Sequence, residues 1–222
     1  NVKKIANAAV KILTEIGMSD APEELCDLVL KHGGKLEGNR LIYPSDLIIK
    51  AIGKHQRVVL LAGQINENDL HVGGNYVYAG TGGAAPNLQK PKTNEYVPSK
   101  LKDLYNAARL ADRLTNISFF SRSLVAGDIE DPLQFDLSTA AASLAGTSKH
   151  VMVQASHWSH VIAIAELCYK IAGGEESFRK RPFLSLHINH AVPPLRFDPA
   201  SIKVMIEAVK LGIPVHCNVF GQ

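Results

Sequence analysis

The sequence predicts an α/β protein: part of a (β/α)8, TIM-type barrel, about five βα units of it, preceded by a small helical region with a hairpin. Two observations carry that reading. After residue 74, strand-like and helix-like segments alternate strictly. Strands are expected near 75–80, 117–125, 150–156, 183–189 and 213–220, and helices near 99–114, 136–146, 160–172 and 198–211. Such alternation argues for parallel strands joined by right-handed crossovers. The strands are also two-faced. In FLSLHIN, Leu184, Leu186 and Ile188 oppose Ser185, His187 and Asn189; in VMVQAS, Val151, Val153 and Ala155 oppose Gln154 and Ser156; in IPVHCNVF, Val215, Cys217 and Val219 oppose His216 and Asn218. A doubly wound sheet carries helices on both faces and reads apolar on both. A closed barrel turns its partly polar face inward, toward a mouth at the carboxyl ends of the strands.

The chain divides into an N-terminal helical or capping region, 1–73, and the N-terminal part of the barrel, 74–222. In the first region, Ile5, Ala9, Ile12, Leu13 and Ile16 share one helical face, and Gly17 ends that helix. DAPE at 20–23 reads as a capping box with Asp20 as cap and Glu23 reaching back. KLEGNRLIY alternates around Gly38-Asn39, a two-residue hairpin signal, and Pro44-Ser45 opens a third helix. In the second region the last helix is the best punctuated: Asp198 caps it, Pro199 takes its first position and Gly212 closes it. Three further units would need roughly 90 more residues at the usual barrel size of about 250, so the sequence is expected to be a piece of a longer protein.

Composition excludes several classes. The 222 residues are 46% hydrophobic and 20% charged, with a net charge of +3. That charge is too small to imply nucleic acid, and no basic run is interleaved with aromatics. No stretch approaches the roughly 20 apolar residues of a membrane helix. Cys26, Cys168 and Cys217 stand far apart within apolar runs; packed thiols in a reducing, cytoplasmic setting are expected.

NYVYAGTGGAAPNLQ, 75–89, invites a phosphate-loop reading. A Walker loop would need GxxxxGK[ST] running into a helix, and a dinucleotide fingerprint a helix opening at its third glycine. Here the next helix begins only near Ser99, so Gly80, Gly82 and Gly83 are expected to rim the barrel mouth and let backbone approach a ligand closely. The short spacings His157/His160 and His187/His190 lack a ligand pattern, and no metal is expected. Lys149 suggests a Schiff-base aldolase, the alternative barrel chemistry, but it precedes its strand and so sits remote from the mouth. Asp128 and Asp131 could approach the mouth. A non-catalytic, ligand-binding half-barrel is the other alternative.

The order of motifs resembles a known family. ILTEIGM, LCDLVLKHGGKLEGNRLIYPSDLIIKAI, YAGTGGAAPNLQ, SKLKDLYNAARLADRLTNISFF, TSKH, AGGEESFRKRPFLS and PPLRFD run, in sequence, as in the trimethylamine methyltransferase family, across almost all of the chain. VHCNVFGQ departs from the methionine- and proline-rich turn of that family. The resemblance implies a barrel methyltransferase that moves a methyl group from a methylated amine or quaternary amine, trimethylamine- or betaine-like, to the cobalt of a corrinoid (cobalamin) carried by a partner protein, with no cofactor bound covalently to this chain. The stretch where the archaeal enzymes carry pyrrolysine would fall beyond Gln222. A homo-oligomer without membrane or nucleic-acid partners is expected. Chemistry of this kind asks the protein for positioning and electrostatics. A quaternary cation is held by aromatic faces or oxygen dipoles, for which Tyr76, Tyr78, Phe119 and Phe120 are candidates. His187 and His216 are the expected catalytic pair. Tyr78, Gly82, Gly83, Gln154, Asn189 and Asn218 are the expected substrate-binding residues.

Overall fold

A chain that changes from helical to alternating patterning folds here into one eight-stranded sheet and two small hairpins. The computed structural model describes residues 1–219. At its start, α1 (Val2–Lys11) continues into a π-helical turn, Ile12–Ile16, which Gly17 ends at φ +69°. Then come β1 (Met18–Ser19), α2 (Glu23–Lys31), β2 (Lys35–Glu37), β3 (Arg40–Ile42) and α3 (Ser45–Gly53). The Gly38-Asn39 hairpin forms as expected, with Glu37 opposite Arg40. The expected capping box does not. Asp20 lies outside the helix at φ +59°, and Pro22 occupies the N-cap with an extended backbone. Glu23 and Glu24 serve the first turn through the helix dipole instead.

Two antiparallel ribbons follow: β4 (Val58–Leu61) with β5 (Leu70–Gly73), and β6 (Asn87–Gln89) with β7 (Tyr96–Pro98). The rest alternates: α4 (Leu101–Arg113), β8 (Phe119–Ser121), α5 (Pro132–Gly146), β9 (His150–Val153), α6 (Trp158–Ala172), α7 (Glu175–Lys180), β10 (Leu184–Val192), β11 (Arg196–Phe197), α8 (Pro199–Lys210) and β12 (Val215–Val219). β8, β9, β10 and β12 are parallel neighbours in chain order. Strand order never reverses among them, as it would at the switch point of a doubly wound sheet. β11 turns back antiparallel on the end of β10 and pairs with β1, which joins the N-terminal hairpin to the same sheet.

The strand expected at 75–80 is displaced. Pairing with β8 starts at Ala79, whose carbonyl accepts from Ser118, and continues along the glycine segment through bridges Gly80–Phe119 and Ala85–Leu124. Thr81 Oγ1 donates to the Ser121 carbonyl and Ala85 N to that of Ser123. The glycine stretch is therefore itself an edge segment parallel to β8, in one register from Gly80 to Ala85, with φ +107° at Gly83. Glycine at position 80 is required by space: a Cβ there would run into the Phe119 ring. Gly80→Ala is expected to cost about 1–2 kcal/mol by overpacking, read as a lower urea midpoint.

The helices bury one face of this sheet. Val151, Val153, Leu184, Leu186 and Ile188 join Ile164, Cys168, Phe178, Val204 and Ala208 in the main core. Phe120 points to the helices too, packing with Leu104, Ala108 and Ala111; it does not reach the mouth, because it alternates with Phe119. Cys168 is buried and Cys26 half-buried, but Cys217 is exposed, its Sγ 3.8 Å from Met205 Sδ of α8. No helix among the described residues is long and apolar enough to cross a membrane.

Candidate functional site

The face of the sheet turned from the helices looks into a cleft of about 910 Å³. At its deep end, the β4–β5 hairpin contributes Val59, Leu61, Leu70 and Val72. That hairpin is tied to the amino-terminal ends of the strands: Gln64 N donates to the Ser148 carbonyl, Arg181 grips Asp69 at 2.7 and 2.9 Å, and His150 Nδ1 donates to the Ala62 carbonyl at 2.9 Å. His150 Nε2 accepts from Ser185 Oγ, also at 2.9 Å. Buried among these neutral groups, His150 has its pKa pushed down to about 4.

At the carboxyl ends the lining turns polar. Tyr78, Gly82, Gly83, Gln154, His187, His216 and Asn218 all line the cleft, with Tyr76 and Phe119. The parallel register sets His187 beside His216 and Asn189 beside Asn218. The two imidazoles meet edge to face, Nδ1 to Nδ1 at 3.2 Å, and Asn218 Nδ2 donates to His187 Nε2 at 2.8 Å. Burial, then His216 and Arg122, lower the pKa of His187 and keep it neutral. Tyr76 and Tyr78 stack with centroids 6.4 Å apart and planes within 14°; Tyr76 is 71% exposed, at the open rim. Asn189 is not in the cleft. It lines an adjoining cavity of about 440 Å³, where its Oδ1 is buried and has no partner among the described residues.

Arg122 escaped the sequence reading. It follows β8, continues the ladder through its N–H to the Met152 carbonyl, and lines both cavities. Its Nη2 donates to Gln154 Oε1 at 2.7 Å, and its guanidinium lies 5.8 Å from the Phe135 ring centre. No carboxylate among the described residues comes within 4 Å of it. Asp136, which approaches it, is spent elsewhere: its Oδ2 accepts from Ser156 N and Oγ and contacts His160 Nδ1, all at 2.7 Å. The signal available was a lone cation immediately after an apolar strand.

Other titratable groups are structural. Lys149 Nζ donates to the carbonyls of Ala111, Leu114 and Ile117 at 2.7, 2.9 and 2.6 Å, at the amino-terminal end of β9; it cannot reach the mouth as a Schiff-base amine. Asp128 accepts from Leu101 N, and Asp131 caps α5 through Gln134 N. His157 caps α6, so it and His160 belong to a helix start rather than a strand. Among the described residues no three His, Cys, Asp or Glu converge as a metal site would need. A further cavity of about 650 Å³ at the opposite end offers only engaged groups: Asp112 is held by Thr147 and Ser148, Gln64 by two carbonyls, and Arg181 by Asp69.

With this geometry in place, comparison with known proteins gives a consistent picture. The chain is 25% identical over 220 residues to the trimethylamine methyltransferase MttB of Desulfitobacterium hafniense (strain DSM 10664 / DCB-2), covering 98% of this chain and 44% of that protein. It is 26% identical over 221 residues to the trimethylamine methyltransferase MttB of Methanosarcina barkeri, covering 97% and 44%. To the glycine betaine methyltransferase of Desulfitobacterium hafniense (strain Y51) it is 23% identical over 212 residues, covering 95% and 44%. The chain thus spans less than half the length of these curated relatives. The trimethylamine methyltransferase (MTTB) family profile matches residues 1–222, and the chain belongs to that family.

Proposed function

We propose that this chain is the amine-binding part of a methyltransferase that moves a methyl group from a methylated amine or quaternary amine to the cobalt of a corrinoid carried by a partner protein. Its five parallel segments are, in this reading, the first part of a (β/α)8 barrel, supported by their chain-order pairing and by the helices covering one face only. The observation that carries the proposal is the placement of aromatic rings and neutral polar side chains in one cleft at the strands' carboxyl ends, in a chain whose whole length matches the family.

The corrinoid arrives on its own protein and is a co-substrate to this chain. The cleft suits such an encounter: its rim residues Tyr76, Gly82, Gly83 and His216 are exposed, and a flat macrocycle can approach them. A Co(I) corrinoid supplies the nucleophile, and the C–N bonding pair stays on the departing amine. This chain's residues position the amine. The ring faces of Tyr76, Tyr78 and Phe119 attract the methylated nitrogen. Gly82 and Gly83 let backbone approach it, and Gln154 and Asn218 orient neighbouring groups. His216 hydrogen-bonds the substrate or the macrocycle's edge, and His187, engaged by His216 and Asn218, positions it; Asn189 serves from the adjoining cavity. With full-length protein, reduced corrinoid partner and a panel of methylated amines, transfer is read from the corrinoid's visible absorption. His187→Ala and His216→Ala are each expected to slow transfer about 10- to 100-fold, the scale of a lost polar contact. Wild-type rates in both would remove the pair from the mechanism, and no transfer from any amine would remove the activity.

A further inference from the structure

We propose that Arg122 and the Nε2–H of His216 form a carboxylate-anchoring pair, so that this cleft selects a methylated amine bearing a carboxylate over one without it. The proposal rests on the methyltransferase reading for its setting and on the proton positions and unpaired charge of the cleft.

The tautomers follow along the chain of contacts. The amide nitrogen of Asn218 can only donate, so His187 Nε2, 2.8 Å away, accepts. A neutral His187 then carries its proton on Nδ1 and donates it to His216 Nδ1 at 3.2 Å. His216, accepting at Nδ1, holds its own proton on Nε2. That nitrogen has no partner among the described residues, and the side chain lines the cleft. The three residues thus act as a relay that fixes His216 as a hydrogen-bond donor toward bound substrate. A quaternary ammonium has no use for a donor; an anionic oxygen does.

Arg122 points the same way. It is a half-buried cation whose only close side-chain acceptor among the described residues is the neutral oxygen of Gln154. A cation left unpaired beside a cleft disfavours a purely cationic ligand and stabilises an anionic group placed there. The anion belongs on the larger cleft's side. The smaller cavity presents Asp136, Glu130 and the orphan Oδ1 of Asn189, acceptors that would repel it. Tyr76 and Tyr78 lie in the same cleft and accept the cationic end. A zwitterion with quaternary nitrogen and carboxylate a short chain apart satisfies both sets of groups; trimethylamine satisfies one.

The test is calorimetric binding to the full-length protein of glycine betaine, choline and trimethylamine, alongside methyl transfer from each. Wild type is expected to bind glycine betaine about 10- to 100-fold more tightly than choline, the worth of charge-assisted hydrogen bonds. Arg122→Gln and His216→Gln are each expected to shrink that ratio to about threefold or less, Arg122→Gln in part by tightening choline, and Arg122→Lys is expected to restore part of the ratio. Equal or tighter binding of choline or trimethylamine by wild type overturns the proposal. So does a betaine preference that survives both substitutions, or an Arg122→Gln effect confined to coupling with the corrinoid protein. Transfer from trimethylamine with no betaine preference sinks this inference and leaves the methyltransferase reading standing. Betaine selectivity without any transfer does the reverse.

Discussion

Replacing Lys149 by methionine is expected to destabilise the fold by about 3–5 kcal/mol, from the loss of three hydrogen bonds made by a charged donor, each contributing about 1.5–3 kcal/mol before relaxation. Lys149 is only 7% exposed, and all three N–H groups of its ammonium are matched to carbonyls of the segment running from the end of α4 to the start of β8. The carbonyls of Ala111 and Leu114 belong to the carboxyl terminus of α4, where the helix dipole is negative and a cation is favoured. Methionine keeps much of the volume but removes all three bonds; the Ala111 and Leu114 carbonyls keep the N–H groups of Leu114 and Ile117, while the Ile117 carbonyl is left without a donor among the described residues, at about 1–3 kcal/mol before relaxation. Arginine keeps the charge, yet its planar fork does not reproduce the three-way geometry of an ammonium, so Lys149→Arg should fall between. Urea denaturation is the measurement. A methionine variant within 1 kcal/mol of wild type would show that the ammonium does not secure this junction.

Acid should weaken the protein through His150. The free imidazole titrates near 6.5, whereas burial holds that of His150 down at about 4. Between those values the unfolded chain binds the proton that the folded chain refuses, so stability rises with pH across the window. It is fully present above about 6.5 and is lost as pH falls through 4. At about 1.4 kcal/mol per pH unit, the total loss is about 3 kcal/mol, of which about 2 kcal/mol is already gone at pH 5. Comparing urea midpoints at pH 7.5 and 5.0 for wild type and His150→Asn isolates this group, since the variant should lose that slope whatever its own stability. Parallel slopes in the two proteins would place the acid sensitivity elsewhere.

What was legible in the sequence was what periodicity writes. Leu184–Asn189 and Val215–Asn218 alternate cleanly, so both the strands and the inward direction of His187 and His216 could be read from two short strings. The glycine segment is hard to read from sequence because Tyr76-Val77-Tyr78 has every local strand preference, yet pairs with no strand among the described residues. The partner of β8 lies a few residues on, where glycine hides it. The β4–β5 hairpin was overlooked because its arms are separated by eight residues holding a 3₁₀ turn, with no tight-turn signature. Arg122 was invisible for another reason. A single charge at a strand end has no period, and its meaning comes from the β8–β9 register that brings it to Gln154.

The hairpin at the amino-terminal end has a kinetic consequence. With His150, Ser185 and the β4–β5 ribbon at the bottom, the cleft has a floor at the amino-terminal ends of the strands, opposite its polar rim. Whatever goes in first sits deepest, and whatever comes second becomes its lid. For the two-substrate transfer proposed above, such a floor would set a queue: the small amine would enter before the bulky macrocycle, and the demethylated product would leave after that visitor withdraws.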